Sequence, residues 1–79
     1  MSGETLDEVR RIAADVFGKD VNLLGADSSP EQVETWDSVQ HLTLVLALEA
    51  KYGIEFGPEE MERMNTLGDI ANLVASKIR

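Results

Sequence analysis

Cysteine is absent from this chain of 79 residues, and histidine and tryptophan occur once each. Without cysteine, the chain cannot build a disulfide framework or a thiolate zinc site. A single histidine leaves an all-carboxylate arrangement as the remaining kind of metal site, so we expect no structural metal ion. The folded state must therefore depend on a small apolar core, which in so short a chain leaves only about 3–5 kcal/mol of net stability.

Basic residues are also scarce, because 7 lysines and arginines stand against 15 acids and leave a net charge of −8. This balance disfavours nucleic acids and anionic membranes as partners. The longest apolar-dominated run, residues 42–48, is too short to cross a bilayer, and the first residues lack the pattern of a signal peptide. We expect a cytoplasmic monomer with one domain over residues 1–79.

Apolar residues recur at helical spacing over residues 6–17, which predicts a first amphipathic helix there. Thr5 and Glu8 have the spacing of a capping box, in which the two side chains bond each other's backbone N–H groups. Gly18 follows directly and favours the left-handed turn that ends many helices. We therefore expect this helix to begin just after Thr5 and to end at Gly18.

Periodicity disappears over residues 18–36, where the chain contains the turn-forming sequence Gly-Ala-Asp-Ser-Ser-Pro. A connection of this length is uncommon inside a small domain, and it usually has a function or lacks order. Leu23 and Leu24 offer apolar surface near its middle. We expect these two leucines to pack the loop across the helices.

The sequence predicts three further helices, over residues 37–52, 58–64 and 66–79. Asp37 can cap the second helix, Pro58 suits the first position of the third, and Thr66 pairs with Asp69 at the start of the fourth. Ile78 falls on the apolar face of the fourth helix. The expected fold is therefore all-α, a small bundle of three longer helices and a short third one.

The second helix carries more apolar surface than one core-facing side requires. Steps of about 100° per residue separate two apolar stripes. One stripe contains Leu44, Val45, Leu48 and Tyr52, and the other contains Val39, Leu42 and Leu46. We assign the first stripe to the core, whereas the second is either a contact surface for a partner or the other flank of a buried helix. Glu49 lies between the stripes and favours a border that reaches water.

Ser38 stands in the first turn of the second helix, where unpaired backbone N–H groups and the helix dipole favour a phosphate on its hydroxyl. On position alone, Ser38 is better explained as an ordinary helix-start residue. His41 lies three residues further on, but a Ser-His hydrolase is disfavoured because no Gly-x-Ser-x-Gly elbow is present. Glu59, Glu60 and Glu62 are predicted to form a solvated face.

Several local motifs together resemble the acyl carrier protein family. They are Trp-Asp-Ser-Val at residues 36–39, the leucines that follow, Tyr-Gly-Ile at 52–54, and Thr-Leu-Gly-Asp-Ile at 66–70. The resemblance covers nearly the whole chain and implies that Ser38 holds a 4′-phosphopantetheine arm, with Asp37 as the preceding acid of the attachment motif. A phosphopantetheinyl transferase would supply the arm from coenzyme A. The arm's thiol would then carry acyl groups as thioesters, and the protein itself would not be an enzyme.

The resemblance also implies a surface for acyl-loading and acyl-processing enzymes. On this chain the matching positions are Val39, Leu42, Leu46 and Glu49. Five residues match the family's core, namely Leu44, Leu48, Tyr52, Phe56 and Met64. An acyl chain is expected to enter between the second and third helices.

This chain departs from carriers of primary fatty-acid synthesis, which usually have further acids just after the serine and a small residue before the motif. Here those positions hold Gln40, His41, Thr43 and Trp36. The differences favour a specialised carrier. A second function class stays open, in which an unmodified helical adaptor docks a partner through the apolar face of the second helix.

Overall fold

A computed structural model describes residues 2–78, with side chains from Glu4 onward. Its helices are α1 (Ser2–Phe17), α2 (Ser38–Tyr52), α3 (Pro58–Glu62) and α4 (Leu67–Lys77), and a 3₁₀ turn spans Val21–Leu23. α1 packs against both α4 and α2. The predicted all-α bundle with a short third helix and a long first loop is confirmed. Within residues 2–78, no helix has the length and apolar character needed to span a membrane.

α1 begins earlier than its apolar pattern predicts. It starts at Ser2, so Thr5 lies inside the helix with a buried side chain, and the predicted capping box of Thr5 and Glu8 is wrong. The physical reason is that Thr5 stands one turn before the fully buried Val9 and shares its core-facing side. Packing against the bundle thus extends the helix beyond the start that local sequence indicates.

The ends of α1 and α2 follow the predicted local chemistry. Gly18 adopts a left-handed conformation with φ of 67°, and the N–H of Lys19 donates to the Ala14 carbonyl over 3.0 Å. Gly53 repeats this geometry after α2 with φ of 65°, and its N–H donates to the Glu49 carbonyl over 2.8 Å. Both glycines satisfy helix-end carbonyls because a left-handed residue turns the following N–H groups back toward them.

α3 is shorter than predicted and ends at Glu62 instead of Met64. Met64 lies after the end of the helix and is buried in the core. The chain leaves the helical path before Met64. At the other end of α3, the N–H of Gly57 donates to Glu60 Oε1 over 2.8 Å. That bond is the main cause that holds the pKa of Glu60 below its ordinary value. The Lys77 ammonium, 2.9 Å from Glu60 Oε2, lowers the pKa further.

α4 begins as the sequence predicts, because Thr66 Oγ1 accepts a hydrogen bond from the Asp69 N–H over 3.1 Å. The other end differs from the prediction. Ile78 is the C-cap residue and is 44% exposed, so its assignment to the apolar face of the fourth helix is wrong. The helix ends at Lys77, so the next residue no longer follows the rotation that would bring it to the core.

The core combines residues from α1, α2 and α4, from the long loop and from the segments on either side of α3. Its large, fully buried members are Leu44, Leu48, Leu67, Ile70, Val9 and Val74. Phe56 and Met64 are also buried, whereas Tyr52 is half-buried and donates its hydroxyl hydrogen to Glu8. Burial, reinforced by this hydrogen bond, raises the pKa of Tyr52. Tyr52 is therefore a border residue of the core that connects α2 to α1.

The long loop is attached to α1 through Arg10. Its Nε donates to the Leu24 carbonyl over 2.7 Å, and its Nη2 donates to the Val21 carbonyl over 3.0 Å. Leu24 is buried, but Leu23 is 73% exposed, so only one of the two predicted leucines packs inward. Arg10 thus gives the Leu24 carbonyl a partner and adds a second donor to the Val21 carbonyl, which also accepts the Leu24 N–H.

The N-terminus of α4 holds the middle of the same loop. The N–H groups of Leu67 and Gly68 donate to the carbonyls of Ser28 and Ala26, over 3.1 and 2.9 Å. A Cβ atom at Gly68 would lie 3.0 Å from the Ala26 carbonyl oxygen, so glycine permits this close approach. The loop thereby reaches α2 in a defined position.

Candidate functional site

Ser38 is the first residue of α2, and its side chain is exposed. Asp37 caps the helix, as predicted, by accepting the Gln40 N–H over 2.9 Å, and the His41 N–H donates to the Asp37 carbonyl over 2.8 Å. The N–H groups of Ser38 and Val39 therefore have no intrahelical acceptor. An anion attached to the Ser38 hydroxyl would lie beside these donors and the positive end of the helix dipole.

A groove of about 430 Å³ adjoins this helix start and contains Ser38 in its wall. We call it the Ser38 groove, and its lining residues are Pro30, Trp36, Asp37, Ser38 and His41. Trp36 is almost completely buried and stacks on Phe17, with ring centroids 5.0 Å apart. The large residue before the motif is thus part of the core and connects the loop to α1.

His41 is half-buried beside Trp36, and the two side chains are hydrogen-bonded. Trp36 Nε1–H donates to His41 Nδ1 over 3.0 Å, so the neutral imidazole carries its hydrogen on Nε2. Burial lowers the pKa of His41 and favours this neutral form. Because Nδ1 is occupied and Nε2 is protonated, His41 has no free lone pair with which to deprotonate Ser38. The geometry therefore argues against a Ser-His hydrolase.

The two apolar stripes of α2 have opposite environments. Val39, Leu42 and Leu46 are 71%, 51% and 56% exposed, and we call these three residues the outer stripe. The other stripe is buried at Leu44, Val45 and Leu48. The interpretation of α2 as a helix buried on both flanks is therefore wrong, because neither the loop nor another helix covers the outer stripe in residues 2–78.

Glu49 is half-buried at the border between the stripes. Its Oε2 accepts the Phe56 N–H over 2.9 Å, which fixes the connection between α2 and α3. The sequence predicts a border residue that reaches water and contacts partners, and one carboxylate oxygen is instead used within the fold. The hydrogen bond of Trp36 with His41 is the other contact that sequence reasoning missed, although both side chains stood out as departures from the resembling family.

The sequence profile described as "Phosphopantetheine attachment site" matches residues 7–74 of this chain. The protein belongs to this family. Among curated proteins, the acyl carrier protein of Thermosynechococcus vestitus is 29% identical over 75 residues, which cover 95% of this chain and 93% of the relative. Members of the phosphopantetheine attachment family are carriers, so this chain is a carrier with a covalent phosphopantetheine group and is not an enzyme.

Solved structures agree with this assignment. The holo acyl carrier protein from Geobacter metallireducens has a TM-score of 0.85 and 35% identity, covering 94% of this chain and 85% of that one. The apo doublet acyl carrier protein from prodigiosin biosynthesis has a TM-score of 0.75 and 22% identity, covering 96% of this chain and 37% of that one. The first likeness supports the family, and the second shows the fold alone.

Proposed function

We propose that Ser38 is the attachment residue and that the protein carries acyl groups as thioesters on a phosphopantetheine arm. The observation that carries this proposal is the exposed Ser38 hydroxyl at the capped start of α2, next to two free backbone N–H groups. On loading, the Ser38 oxygen forms a P–O bond as the pyrophosphate bond of coenzyme A breaks. The nucleotide bisphosphate leaves, and the transferase takes the hydroxyl proton.

The residues at this helix start suit a covalent phosphodiester. Asp37 fixes the first turn and keeps its carboxylate on the Gln40 N–H, which leaves the Ser38 hydroxyl directed outward and exposed. The free N–H groups and the helix dipole favour a negative charge at that point. The arm supplies the thiol that the chain lacks, because the sequence has no cysteine.

The other serines with described side chains are less suitable. Ser28 is buried, and its Oγ accepts the Gly25 N–H over 2.9 Å. Ser29 is half-buried in the loop and does not stand at a helix start. Ser76 lies on α4, where its Oγ donates to the Leu73 carbonyl over 2.9 Å, and the start of that helix is far from it in sequence. Ser38 therefore combines exposure with a helix N-terminus.

Intact mass spectrometry tests the attachment directly. The protein is incubated with coenzyme A and a phosphopantetheinyl transferase of broad specificity, and we expect the mass of one arm to be added. Ser38→Ala should lose this gain with unchanged helical circular dichroism, whereas Ser76→Ala should keep it. Modification of the Ser38→Ala variant would refute the assignment, and no gain in the wild type would favour the alternative of an unmodified adaptor.

For the partner surface, we propose that loading and processing enzymes dock on the outer stripe, beside Ser38. Its exposed leucines offer contact area that a complex would bury. Leu46→Ala should keep the melting temperature but raise the KM of the protein as a transferase substrate. Leu48→Ala, the control, should lower the melting temperature because Leu48 is fully buried. A Leu46 variant with unchanged KM would place the contact elsewhere.

The same family assignment supports three further expectations. We propose a cytoplasmic, single-domain monomer, since the family profile spans residues 7–74 and the net charge of −8 disfavours anionic membranes. The Trp36 and His41 pair beside Ser38 supports a specialised carrier. Glu49 is proposed to contact partners only through its free carboxylate oxygen, because the other accepts the Phe56 N–H.

A further inference from the structure

The single tryptophan and the single histidine of the chain both line the Ser38 groove and are hydrogen-bonded to each other. Trp36 forms the floor of this groove, because its ring is almost completely buried and stacks on Phe17. Pro30 is exposed and also lines the groove. Two of its five lining residues are thus apolar, and a third is Ser38, whose hydroxyl we propose is modified.

His41 adds a polar group of defined direction to this groove. Its Nδ1 accepts the Trp36 N–H, so the neutral ring can offer only the Nε2–H as a donor. In the part of the chain that the structure describes, no protein acceptor is recorded for Nε2, and His41 has no buried atom left without a partner. The Nε2–H is therefore accessible and available to an oxygen atom.

Ser38 and His41 are three residues apart on α2, and such pairs are neighbours on a helix surface. Whatever is attached to Ser38 Oγ begins within reach of His41, and a tethered group has an effective concentration in the millimolar range. A groove of about 430 Å³ is in the size range of small-molecule sites. A weak individual contact would therefore be enough to hold an attached group.

The proximal part of a phosphopantetheine arm matches these surroundings chemically. After its phosphodiester, the arm has a carbon with two methyl groups, then a hydroxyl group and an amide carbonyl. The methyl groups suit Pro30 and the edge of Trp36, and the oxygens suit a single N–H donor. Asp37 offers no comparable contact, since its carboxylate caps the helix.

Resting on the proposed attachment at Ser38, we propose that the Ser38 groove holds the methyl-bearing proximal end of the arm, with His41 Nε2–H donating to one of its oxygens. The distal thiol and its acyl group then extend from a fixed point. His41 is accordingly a positioning residue for the arm. Its bond from Trp36 holds the imidazole in the tautomer that can donate.

Nuclear magnetic resonance of the loaded protein tests this proposal. The arm is transferred from ¹³C-labelled coenzyme A, and intact mass first establishes that attachment has occurred. We expect nuclear Overhauser effects from the arm's methyl groups to His41 and Pro30, and a shift of the Trp36 indole N–H resonance relative to the unloaded protein. Methyl relaxation should show less motion than in free coenzyme A.

Two variants separate positioning from structure. His41→Ala should gain the full mass of the arm but lose the effects to Pro30 and the restricted methyl motion. His41→Gln, which keeps a side-chain N–H donor, should restore part of both. Lys51→Ala is the matched control in the exposed last turn of α2, away from Ser38, and should leave the arm signals unchanged.

Three results would overturn the inference. Nuclear Overhauser effects from the arm's methyl groups to the outer stripe, or to the side of α2 toward α3, would place the arm outside the Ser38 groove. Free methyl motion in a wild-type protein with confirmed mass would show that the groove does not hold the arm, while the proposed function would stand. Absence of any mass gain would remove both proposals together.

Discussion

The long loop before α2 is more buried than its sequence suggests, and the outer stripe on α2 is more exposed. The loop, residues 18–37, has no helical periodicity, yet it contributes Leu24, Val33 and Trp36 to the core. The outer stripe belongs to a regular helix, yet its three apolar side chains are exposed. Regular secondary structure and burial are therefore separate properties in this protein.

The difference teaches what each region is available to do. The loop is held by Arg10 from α1 and by two N–H groups of α4, which donate to four of its backbone carbonyls. Beyond its first turn, α2 satisfies its own backbone N–H groups, so its outer stripe can be left open without an energetic penalty for unpaired polar groups. The four predictions below test this contrast, from the largest expected effect to the smallest.

The sharpest test compares a loop leucine with a helix leucine. Leu24→Ala should destabilise the fold by about 2–5 kcal/mol, because it removes a buried side chain and leaves a cavity. Leu46→Ala should change the free energy of unfolding by only about 0.5 kcal/mol, because that side chain already faces solvent. Urea denaturation measures both values.

Leu23→Ala is the control within the loop, since Leu23 is the exposed neighbour of Leu24. Its stability should match that of Leu46→Ala and not that of Leu24→Ala. If the two loop variants are equally destabilised, or if Leu46→Ala is the worst of the three, the contrast between loop and helix is wrong.

Arg10 should be the next most important residue for the loop. Arg10→Met keeps an apolar stem but removes the donors to the Leu24 and Val21 carbonyls, and should cost about 1–3 kcal/mol. Hydrogen exchange should locate the loss in the loop, with the ends of α2 less affected. Arg10→Lys should recover little, because an ammonium group lacks the planar fork.

Asp7→Asn tests whether Arg10 stabilises the fold through its ion pair with Asp7 and not through its hydrogen bonds to the loop carbonyls. Arg10 Nη1 lies 3.0 Å from Asp7 Oδ1, but Asp7 is exposed, so this change should cost less than about 1 kcal/mol. Equal losses in the Asp7 and Arg10 variants would show that the ion pair, and not the loop contact, is what matters.

Acid should weaken the side-chain bond between the loop and α2. Burial lowers the pKa of His41 below its ordinary value of 6.5, so the unfolded chain binds a proton more readily than the folded one. The stability that neutral His41 contributes is fully present above pH 6.5. It is lost as the pH falls from 6.5 through the pKa of His41 in the folded state, because protonated Nδ1 cannot accept the Trp36 N–H.

The urea concentration at the unfolding midpoint of the wild type should therefore decrease as the pH is lowered from neutral to about pH 5. This is the range where histidine titrates. The His41→Gln variant should not show this decrease of the midpoint. The comparison therefore separates the titration of His41 from that of carboxylates at lower pH. A wild-type midpoint that stays level, or rises, over this range would contradict the assigned hydrogen bond.

Salt should produce the smallest effect, and mainly through the loop. Residues 18–37 contain five acids and one lysine, whereas α2 has one acid and one lysine. Screening of this repulsion should raise the melting temperature modestly as salt is added. Glu31→Gln combined with Glu34→Gln should raise the melting temperature at low salt and reduce the response to salt.

Arg11→Gln is the control of opposite sign, because it removes an exposed base and increases the net negative charge. This variant should melt lower at low salt and respond more strongly to added salt. A wild-type melting temperature that falls with salt would show that the Arg10–Asp7 and Lys77–Glu60 pairs outweigh the net charge.

Much of the fold and part of the candidate site could be predicted because they depend on neighbouring residues. The cap of Asp37 on Gln40 N–H, the turn at Gly53 and the cap of Thr66 all involve residues within four positions of each other. The start of α1 was predicted wrongly at Thr5, because burial against the bundle extended the helix.

The sequence by itself determined the order of the helices, most of their ends and the exposed start of α2 at Ser38, since short-range hydrogen bonds decide these features. Only the tertiary structure decided that the outer stripe of α2 stays uncovered, because the sequence assigned the other stripe to the core but allowed a helix buried on both flanks. It also decided that Trp36 stacks on Phe17 and thereby meets His41. Such contacts depend on how distant segments pack, which no local pattern specifies.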